Sequence, residues 1–432
     1  MRLTVPEIDC NDGFTVENDI FKRKSLSNQI ENIISNCDDE SLVIALNDKW
    51  GNGKTTFLKM WEAQINNDDK FKVVYFDAFK NDFQNDPFIA VASHIYSLIE
   101  DSASKKNYLN ATKKVASVLL KTSLKVGVNA LTLGMVKDSA IEDFSTDIST
   151  AINDPLEKWI EEKVTQLDEE NKTIEHFRTT LSEIAGDKKL IFIIDELDRA
   201  RPNYSLELLE KIKHVFSTKN IFFVLSIDKE QFTNIIQKTY GNIDADVYLN
   251  KFIHLWFSLP NEISEEGNSK SLYQYMKYIN KKILDRDLIM NTSIEILTYL
   301  LHENNLSLRD VERCYSLLLI CNSSAQTGYD NFLQTGIAIT CFLKLRNEKI
   351  LGQILNKTIT KEKLLEELNI KLTSDNDYEI YNMIIKAINT EYMTYQEYNK
   401  AIRENDANIF KGLFSQPKTI SFAIGLLNNV EM

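Results

Sequence analysis

The chain is poor in residues that make tight turns and covalent cross-links. Its 432 residues include only 13 Gly and 6 Pro, which predicts a helix-rich fold with few tight turns. The five cysteines are scattered and form neither a CxxC pair nor a cluster with the five histidines. This pattern argues against a zinc centre and against a disulfide framework. Isolated thiols are typical of a reducing compartment, so we predict a cytoplasmic location.

The chain also lacks an excess of basic residues. Its 50 Lys and Arg against 63 Asp and Glu give a formal net charge of −13. A protein that coats nucleic acid is not expected to carry this balance, although a local basic groove is compatible with it. Residues 1–12 have neither the basic start nor the apolar run of a signal peptide, so we expect a protein that is not secreted.

One stretch, LVIALNDKWGNGKTT at 42–56, carries the strongest functional signal. Its apolar start predicts a buried parallel strand, and Lys54-Thr55-Thr56 at its end predicts the start of a helix. The glycines of the intervening loop allow backbone N–H groups to approach phosphate oxygens closely. A strand, a glycine loop and a helix start in this order indicate a phosphate-binding loop.

The loop residues have specific expected roles. Lys54 reaches the β- and γ-phosphates as a point charge, and the Thr55 hydroxyl is a ligand for Mg²⁺. The residues that we expect to bind the nucleotide here are Trp50, Gly51, Asn52, Gly53, Lys54, Thr55 and Thr56. The usual pattern G-x-x-x-x-G-K-[ST] has a glycine where this chain has Asp48. A carboxylate facing the phosphates would repel them, so we expect Asp48 to point away.

A second motif, LIFIIDELD at 190–198, predicts a buried strand with acids at its carboxyl end. Sheets of the α/β class bind their ligands at this end of the strands. Asp195 is expected to hold Mg²⁺, commonly through water, and Glu196 to act as the base that activates the attacking water. Solvated acids that cap a strand are the alternative for such a segment alone. A phosphate loop in the same chain favours the catalytic interpretation.

Polar residues at two other predicted strand ends leave alternatives open. Asp77 follows the predicted strand at 71–76, where it either acts on the metal site through water or caps the next segment. The predicted strand at 221–227 contains Ser226 and is followed by Asp228. A polar side chain at this place can sense the γ-phosphate. We slightly favour Asp228 for this role, and a structural role is equally compatible with the sequence.

Two arginines follow the second motif. Arg199 and Arg201 either stabilise the transferred phosphate, in their own subunit or in a neighbour's, or pair with nearby acids. The next apolar run, KFIHLWFSL at 251–259, predicts a fifth strand that Pro260 closes.

Residues 103–185 interrupt the alternation of strands and helices. The stretch 115–136 is long and mostly apolar, but its interior contains Lys121, Lys125 and Asn129, which share one helical face. Each central lysine costs about 2.5–3.5 kcal/mol on membrane-insertion scales. We therefore favour a helix packed on protein, with weak association with a membrane surface as the second alternative and a membrane span as the third.

Five stretches together resemble the KAP family of P-loop nucleoside triphosphatases. They are DKWGNGKTTFL (48–58), VVYFDAFKND (73–82), FIIDELDRARP (192–202), FVLSIDKEQF (223–232) and YLNKFIHLWFSLP (248–260). Family members carry Trp-Gly before the Gly-Lys pair, as this chain does. They carry Asp-Leu-Asp-Arg after the acidic strand, where this chain has Glu196-Leu197-Asp198-Arg199. The resemblance extends from about residue 20 to residue 320.

The resemblance implies a fold and further site residues. The fold would be an α/β P-loop NTPase core of the additional-strand (ASCE) type, a parallel sheet with a helical insertion and a helical C-terminal lid and lobe. Arg309 resembles the lid arginine that reaches the γ-phosphate, and Arg313 is the alternative on the same face. The family often inserts transmembrane helices where this chain has 115–136. Bacterial members are often found in antiviral defence systems or at membranes.

We predict an ATPase that binds and hydrolyses Mg-ATP to drive a conformational or assembly switch, in bacterial antiviral defence with a protein partner as effector. ATP is favoured over GTP because the chain has no N-K-x-D motif. Glu196 and Lys54 would be catalytic, together with Arg309 or Arg199, either of them supplied by a neighbour in a homo-oligomer. The alternative is an ATP-bound scaffold with little turnover that organises partners or membrane.

The predicted division of the chain has five parts. They are an N-terminal lead and helix (1–38), the P-loop NTPase core (39–102 and 186–262), a helical insertion (103–185), a helical lid (263–345) and a C-terminal helical lobe (346–432).

Overall fold

The computed structural model describes most of the chain. The described backbone covers residues 4–37, 41–84, 86–133, 155–260, 268–283, 290–323, 329–370, 378–403 and 418–430. Side chains are described for the same residues except 120–133, 155–167, 268–270 and 401–403.

Five parallel strands form a sheet in the order β2-β3-β4-β1-β5. The strands are β1 (Ser41–Asn47), β2 (Phe71–Asp77), β3 (Lys189–Asp195), β4 (Ile221–Ile227) and β5 (Leu255–Ser258). Strand β4 lies between β1, which leads into the glycine loop, and β3, which ends in the acids. The predicted ASCE core is defined by an additional strand between the strand of the phosphate loop and the strand of the acids. Strand β4 occupies this position, so the predicted α/β fold class is confirmed.

The strands are nearly continuous apolar runs because both faces of the sheet are covered. Successive side chains of a strand point to opposite faces. Val43 and Ala45 accordingly enter the core on one face, whereas Leu42, Ile44 and Leu46 enter the core on the other. Each buried Val, Leu or Ile contributes about 1.5–3 kcal/mol, and a register shift of one residue would exchange the two sets.

Helices cover both faces of the sheet. One face packs against α1 (Lys24–Ser35) and α2 (Lys54–Ile65). The other face packs against residues from a larger set of helices. These are α3 (Ala78–Asn81), α4 (Pro87–Leu98), α5 (Ser102–Leu133), α6 (Pro155–Ala185), α7 (Pro202–Lys211), a π-helical turn (Ile212–Phe216), α8 (Lys229–Tyr240) and α9 (Ala245–Leu249).

The long helices α5 and α6 are anchored on the sheet by aromatic side chains. The Phe177 ring of α6 lies 5.3 Å from Phe88, 5.7 Å from Tyr108 of α5 and 5.7 Å from Phe216, measured between centroids. Within the described residues, no helix combines the length and the apolar character that crossing a bilayer requires. The side chains of the predicted lysine face, and residues 134–136 altogether, lie outside the described part.

The described part of the chain from residue 268 onward is helical. Its elements are α10 (Asn268–Ile283), α11 (Asn291–Glu303), α12 (Leu308–Ser323), α13 (Asn331–Arg346), α14 (Lys349–Leu355), α15 (Lys361–Leu368), α16 (Tyr378–Tyr392), α17 (Tyr395–Arg403) and α18 (Thr419–Leu426). One apolar cluster takes side chains from α10 to α16 and from α18. A Cβ on Gly336 of α13 would lie 2.5 Å from Thr419, so a glycine is required for this close helix contact.

The fifth strand is shorter than the sequence predicted. Residues 251–254 follow α9 in a turn, and β5 pairs with β1 only from Ile44 to Asn47. His254 accounts for this start. The backbone N–H of His254 donates to the Val43 carbonyl over 2.9 Å, while the ring Nδ1 of His254 accepts from the Val43 backbone N–H over 3.0 Å. Because a side chain takes this backbone donor, the regular ladder begins one residue later.

Candidate active site

The glycine loop between β1 and α2 borders a cavity of about 400 Å³. Gly51 and Gly53 have φ values of +89° and +85°, which side-chain-bearing residues rarely adopt. The predicted residues of the loop that line the cavity are Trp50, Gly51, Gly53, Lys54, Thr55 and Thr56. Glu196, Asp198, Arg199, Ser226 and Arg309 line the same cavity. The predicted loop and Glu196 therefore meet in one place, whereas Asn52 and the buried Asp195 are not among the residues that line the cavity.

Lys54 is held inside the loop that precedes it. Its side chain is only 8% exposed, and its Nζ donates to the Asp48 carbonyl and, over 3.3 Å, to the Lys49 carbonyl. Burial lowers the pKa of Lys54, and the neighbouring Asp198 and Asp228 carboxylates oppose this effect. The ammonium group is thereby fixed at the cavity wall.

Asp195 is almost completely buried, at 1% exposure, and both of its oxygens accept hydrogen bonds. The Tyr75 hydroxyl donates to Oδ2 over 2.6 Å, and the Glu196 N–H donates to Oδ1 over 2.9 Å. Burial and the adjacent Asp195 charge raise the pKa of Tyr75. Sequence reasoning did not single out Tyr75, because its relevance depends on β2 and β3 being neighbours in the sheet.

Glu196 connects the two motifs. Its Oε1 accepts from the Thr55 hydroxyl over 3.3 Å, and its Oε2 lies 2.6 Å from Arg199 Nε. Burial is the main reason that the pKa of Glu196 is raised, followed by the charge of Asp195, while Arg199 acts in the opposite direction. Its φ of +55° is unusual for a residue with a side chain, and such strain is characteristic of functional positions.

Trp50 ties the loop to the ends of β3 and β4. Its indole N–H donates to Asp198 Oδ2 over 2.7 Å, and the same oxygen accepts from the Asp228 N–H over 2.6 Å. The Trp50 backbone N–H donates to Asp228 Oδ2 over 3.3 Å. Asp198 is 4% exposed, and burial raises its pKa. These contacts give the tryptophan that precedes Gly51 a structural role.

This network predicts the effect of Trp50→Phe on stability. The substitution removes one of the donors to the buried Asp198, so we expect the free energy of unfolding to fall by about 1–3 kcal/mol. Urea denaturation followed by circular dichroism measures this quantity. Trp256→Phe is the control, because its ring lies beside Lys229 rather than at Asp198. An unchanged denaturation midpoint for Trp50→Phe would contradict the assigned contact.

Asp48 and Asp228 lie beside the cavity rather than in its wall. Both line a second, neighbouring cavity. Asp48 Oδ1 accepts from the Lys49 N–H over 2.7 Å and from the Asn52 side-chain amide over 2.6 Å. Asp228 caps α8 by accepting from the Gln231 N–H over 3.3 Å. These contacts give Asp228 a structural role, and its sensing of phosphate stays a prediction.

The remaining polar candidates differ in whether they line the cavity or make contacts elsewhere. Arg309 is exposed and lines the cavity, whereas Arg313 is exposed and does not. Asp77 caps α3 through the Lys80 N–H, over 2.9 Å. Arg201 contacts Asp82, which accepts from its backbone N–H over 2.8 Å. Of the two arginines that follow the acidic motif, Arg199 is thus the one that reaches Glu196.

The sequence profile described as "KAP family P-loop domain" matches residues 23–325, more than half of the chain. The chain belongs to the KAP family. The match includes the glycine loop, the acidic strand and Arg309, so the predicted family is confirmed. The matched residues cover the sheet and continue through α10, α11 and α12.

Other similarities are more distant. A stretch of 84 residues is 31% identical to the phage T7 exclusion protein of Escherichia coli (strain K12). It covers 18% of this chain and spans 11% of the length of that relative. Among solved structures, the ORC2 protein of Aeropyrum pernix in ADPNP–ADP complexes aligns with a TM-score of 0.40 at 12% identity, over 99% of this chain and 89% of the other.

Cdc6p from Pyrobaculum aerophilum aligns with a TM-score of 0.41 at 12% identity, over 98% of this chain and 99% of the other. The Drosophila ORC bound to DNA aligns at 0.35 and 8%, over 94% and 95%.

Proposed function

We propose that this KAP-family chain binds Mg-ATP and hydrolyses it to drive a conformational or assembly switch. One observation carries the proposal: the Thr55 hydroxyl lies 3.3 Å from the Glu196 carboxylate, although the two residues are 141 positions apart. The fold thus brings the predicted phosphate loop and Glu196 to one cavity, and the Glu196 N–H donates to the buried Asp195 beside it. The geometry supports phosphoryl transfer to water better than any other chemistry.

The residues at this junction suit a magnesium ion. The Thr55 hydroxyl and the Asp195 carboxylate are oxygen ligands, which Mg²⁺ prefers, and Mg²⁺ commonly takes only a few protein ligands beside phosphates and water. When bound, the ion would neutralise charge on the β- and γ-phosphate oxygens. Tyr75 and the Glu196 N–H keep Asp195 in a single orientation, each through one hydrogen bond.

The chain's own groups have separate tasks in this proposal. Lys54 and the N–H groups of the loop hold the phosphates, and Glu196 takes the proton of the attacking water. Arg309 and Arg199 are the candidate cations for the negative charge that develops in the transition state. Arg199 is bound to Glu196 at 2.6 Å, so this role for Arg199 would require the ion pair to open.

The ion pair favours a second candidate function. A Glu196 carboxylate held by Arg199 and Thr55 is less available to activate water, as expected of an ATP-bound scaffold that turns over slowly. Multiple-turnover phosphate release by the purified chain distinguishes the two candidates. Sustained release supports the ATPase, and release of no more than one equivalent per chain supports the scaffold.

The pH dependence of turnover provides a further prediction. A base must be ionised to accept a proton, and burial raises the pKa of Glu196 above its ordinary value of 4.5. We therefore expect kcat/KM to fall by about tenfold per pH unit below that raised pKa. The Glu196→Gln protein should lack this limb, and the titration of ATP itself is common to both proteins. An identical acidic limb in both proteins would contradict the assignment of the base.

We further propose that the switch acts in antiviral defence together with a protein effector. The local identity to a protein named for phage exclusion supports this biological setting. Co-purification of the tagged chain with the products of its neighbouring genes, during phage infection, is the direct test. Recovery of the chain without any of these products would count against an effector.

A further inference from the structure

The phosphate loop contacts helix α12 directly. The first N–H groups of any helix need partners outside the helix. In α12, the Leu308 N–H donates to Asn52 Oδ1 and the Arg309 N–H donates to the Gly51 carbonyl, each over 3.2 Å. Two of the free donors at this helix end are therefore satisfied by the glycine loop.

The approach of the two segments is close. A Cβ on Gly51 would lie 2.8 Å from both Arg309 Cβ and Ser307 Oγ, so a side chain at this position would force the segments apart. Ser307 accepts from the Asp310 N–H over 3.3 Å at the same helix end. The end of α12 is thus completed partly by its own residues and partly by the loop.

Asp48 sets the orientation of Asn52. Its carboxylate accepts from the Asn52 side-chain amide over 2.6 Å, which leaves the amide oxygen directed at the Leu308 N–H. The buried Arg23 restrains the same residue, because its Nη2 donates to the Asn52 carbonyl over 3.0 Å. The Nε of Arg23 donates to the Pro260 carbonyl, also over 3.0 Å.

We propose that Asp48 and Asn52 are positioning residues that form a latch between the phosphate loop and α12. The latch consists of the two bonds from Leu308 and Arg309 to the loop, with Asn52 oriented by Asp48. Its link to nucleotide rests on the proposed function. The N–H groups of the loop serve phosphates, while a carbonyl and a side chain of the same loop hold α12. A change of loop conformation then changes the position of α12.

This latch gives the departure from the usual loop pattern a physical role. A glycine at position 48 has no group that could orient Asn52. Restoring the usual glycine with Asp48→Gly is therefore expected to loosen α12, although it improves the match to the loop pattern. Removing the amide with Asn52→Ala should have the same effect.

Hydrogen exchange of the full chain without nucleotide tests the latch. In peptides that cover 305–312, we expect exchange in Asn52→Ala and Asp48→Gly to be about five- to tenfold faster than in the parent. Asn67→Ala is the matched control, since this exposed side-chain amide donates to the Ala63 carbonyl at the end of α2. The paired exchange Asp48→Asn with Asn52→Asp restores one donor and one acceptor, so it should recover protection.

Each result decides a different claim. Unchanged exchange at 305–312 in Asn52→Ala would overturn the latch, whether or not the parent binds Mg-ATP. Failure of the paired exchange to restore protection would overturn the part assigned to Asp48. Faster exchange in Asn52→Ala, combined with no Mg-ATP binding by the parent, would leave the latch standing and overturn the proposed function.

Discussion

Replacing Lys54 with methionine is expected to abolish measurable ATP turnover and to weaken Mg-ATP binding by about one to two orders of magnitude. The reason is geometric. Lys54 is 8% exposed and fixed by the loop carbonyls at the cavity wall, so its charge is presented to phosphates with little competition from water. Methionine keeps the length of the chain and removes the charge. Calorimetric titration and phosphate release measure the two losses separately.

Two controls distinguish a specific effect of Lys54→Met from an effect of partial unfolding. Lys54 also offsets the charges of Asp198 and Asp228, so its loss is expected to lower stability somewhat, and a thermal melt of the variant must accompany the titration. Lys238→Met removes the same charge from an exposed position of α8 and should keep turnover within about threefold of the parent. Equal losses in Lys54→Met and Lys238→Met would contradict a specific role for Lys54.

Replacing Glu196 with glutamine is expected to reduce kcat by about 10²–10⁴-fold while Mg-ATP binding stays near the parent value. Glutamine has the same shape and can keep the hydrogen bond with Thr55, but it cannot take a proton from water. The measurement is phosphate release at saturating Mg-ATP, with affinity determined on the same preparation.

Glu207→Gln is the matched control for this prediction. Glu207 is also an acid whose pKa burial raises, but it belongs to α7 and pairs with Lys211, so its loss should leave kcat unchanged. Parent-like turnover by Glu196→Gln would contradict the role of Glu196 as the base. Turnover that is equally low in the parent and in Glu196→Gln would instead favour the scaffold.

The core of the fold could be predicted from the sequence because its signals are local. The strands from β1 to β4 are mostly apolar runs, and the candidate acids Asp77, Asp195 and Asp228 stand at or just after the ends of such runs. The glycine loop needs φ values that glycine adopts readily, and its order in the chain is visible in one stretch. These local signals predict one site that contains Lys54, Thr55, Asp195 and Glu196, and the structure places the Thr55 hydroxyl 3.3 Å from the Glu196 carboxylate.

The contacts that complete the site could not be predicted in this way. Tyr75 reaches Asp195 only because β2 and β3 pair, and strand order is not written in either segment. The bond between Asn52 and Leu308 joins residues 256 positions apart. The fifth strand was predicted four residues too early because an apolar run reveals neither the turn at 251–254 nor that His254 occupies the backbone donor of Val43.

The central claim is that Lys54 and Asp195 act on one metal-bound triphosphate. Isothermal titration of the chain with ATP, in the presence and absence of magnesium, tests this claim most directly. We expect one saturable site in the parent, an affinity that depends on magnesium, and loss of that magnesium dependence in Asp195→Asn. No heat of binding in the parent, or an undiminished magnesium dependence in Asp195→Asn, would contradict the proposed site.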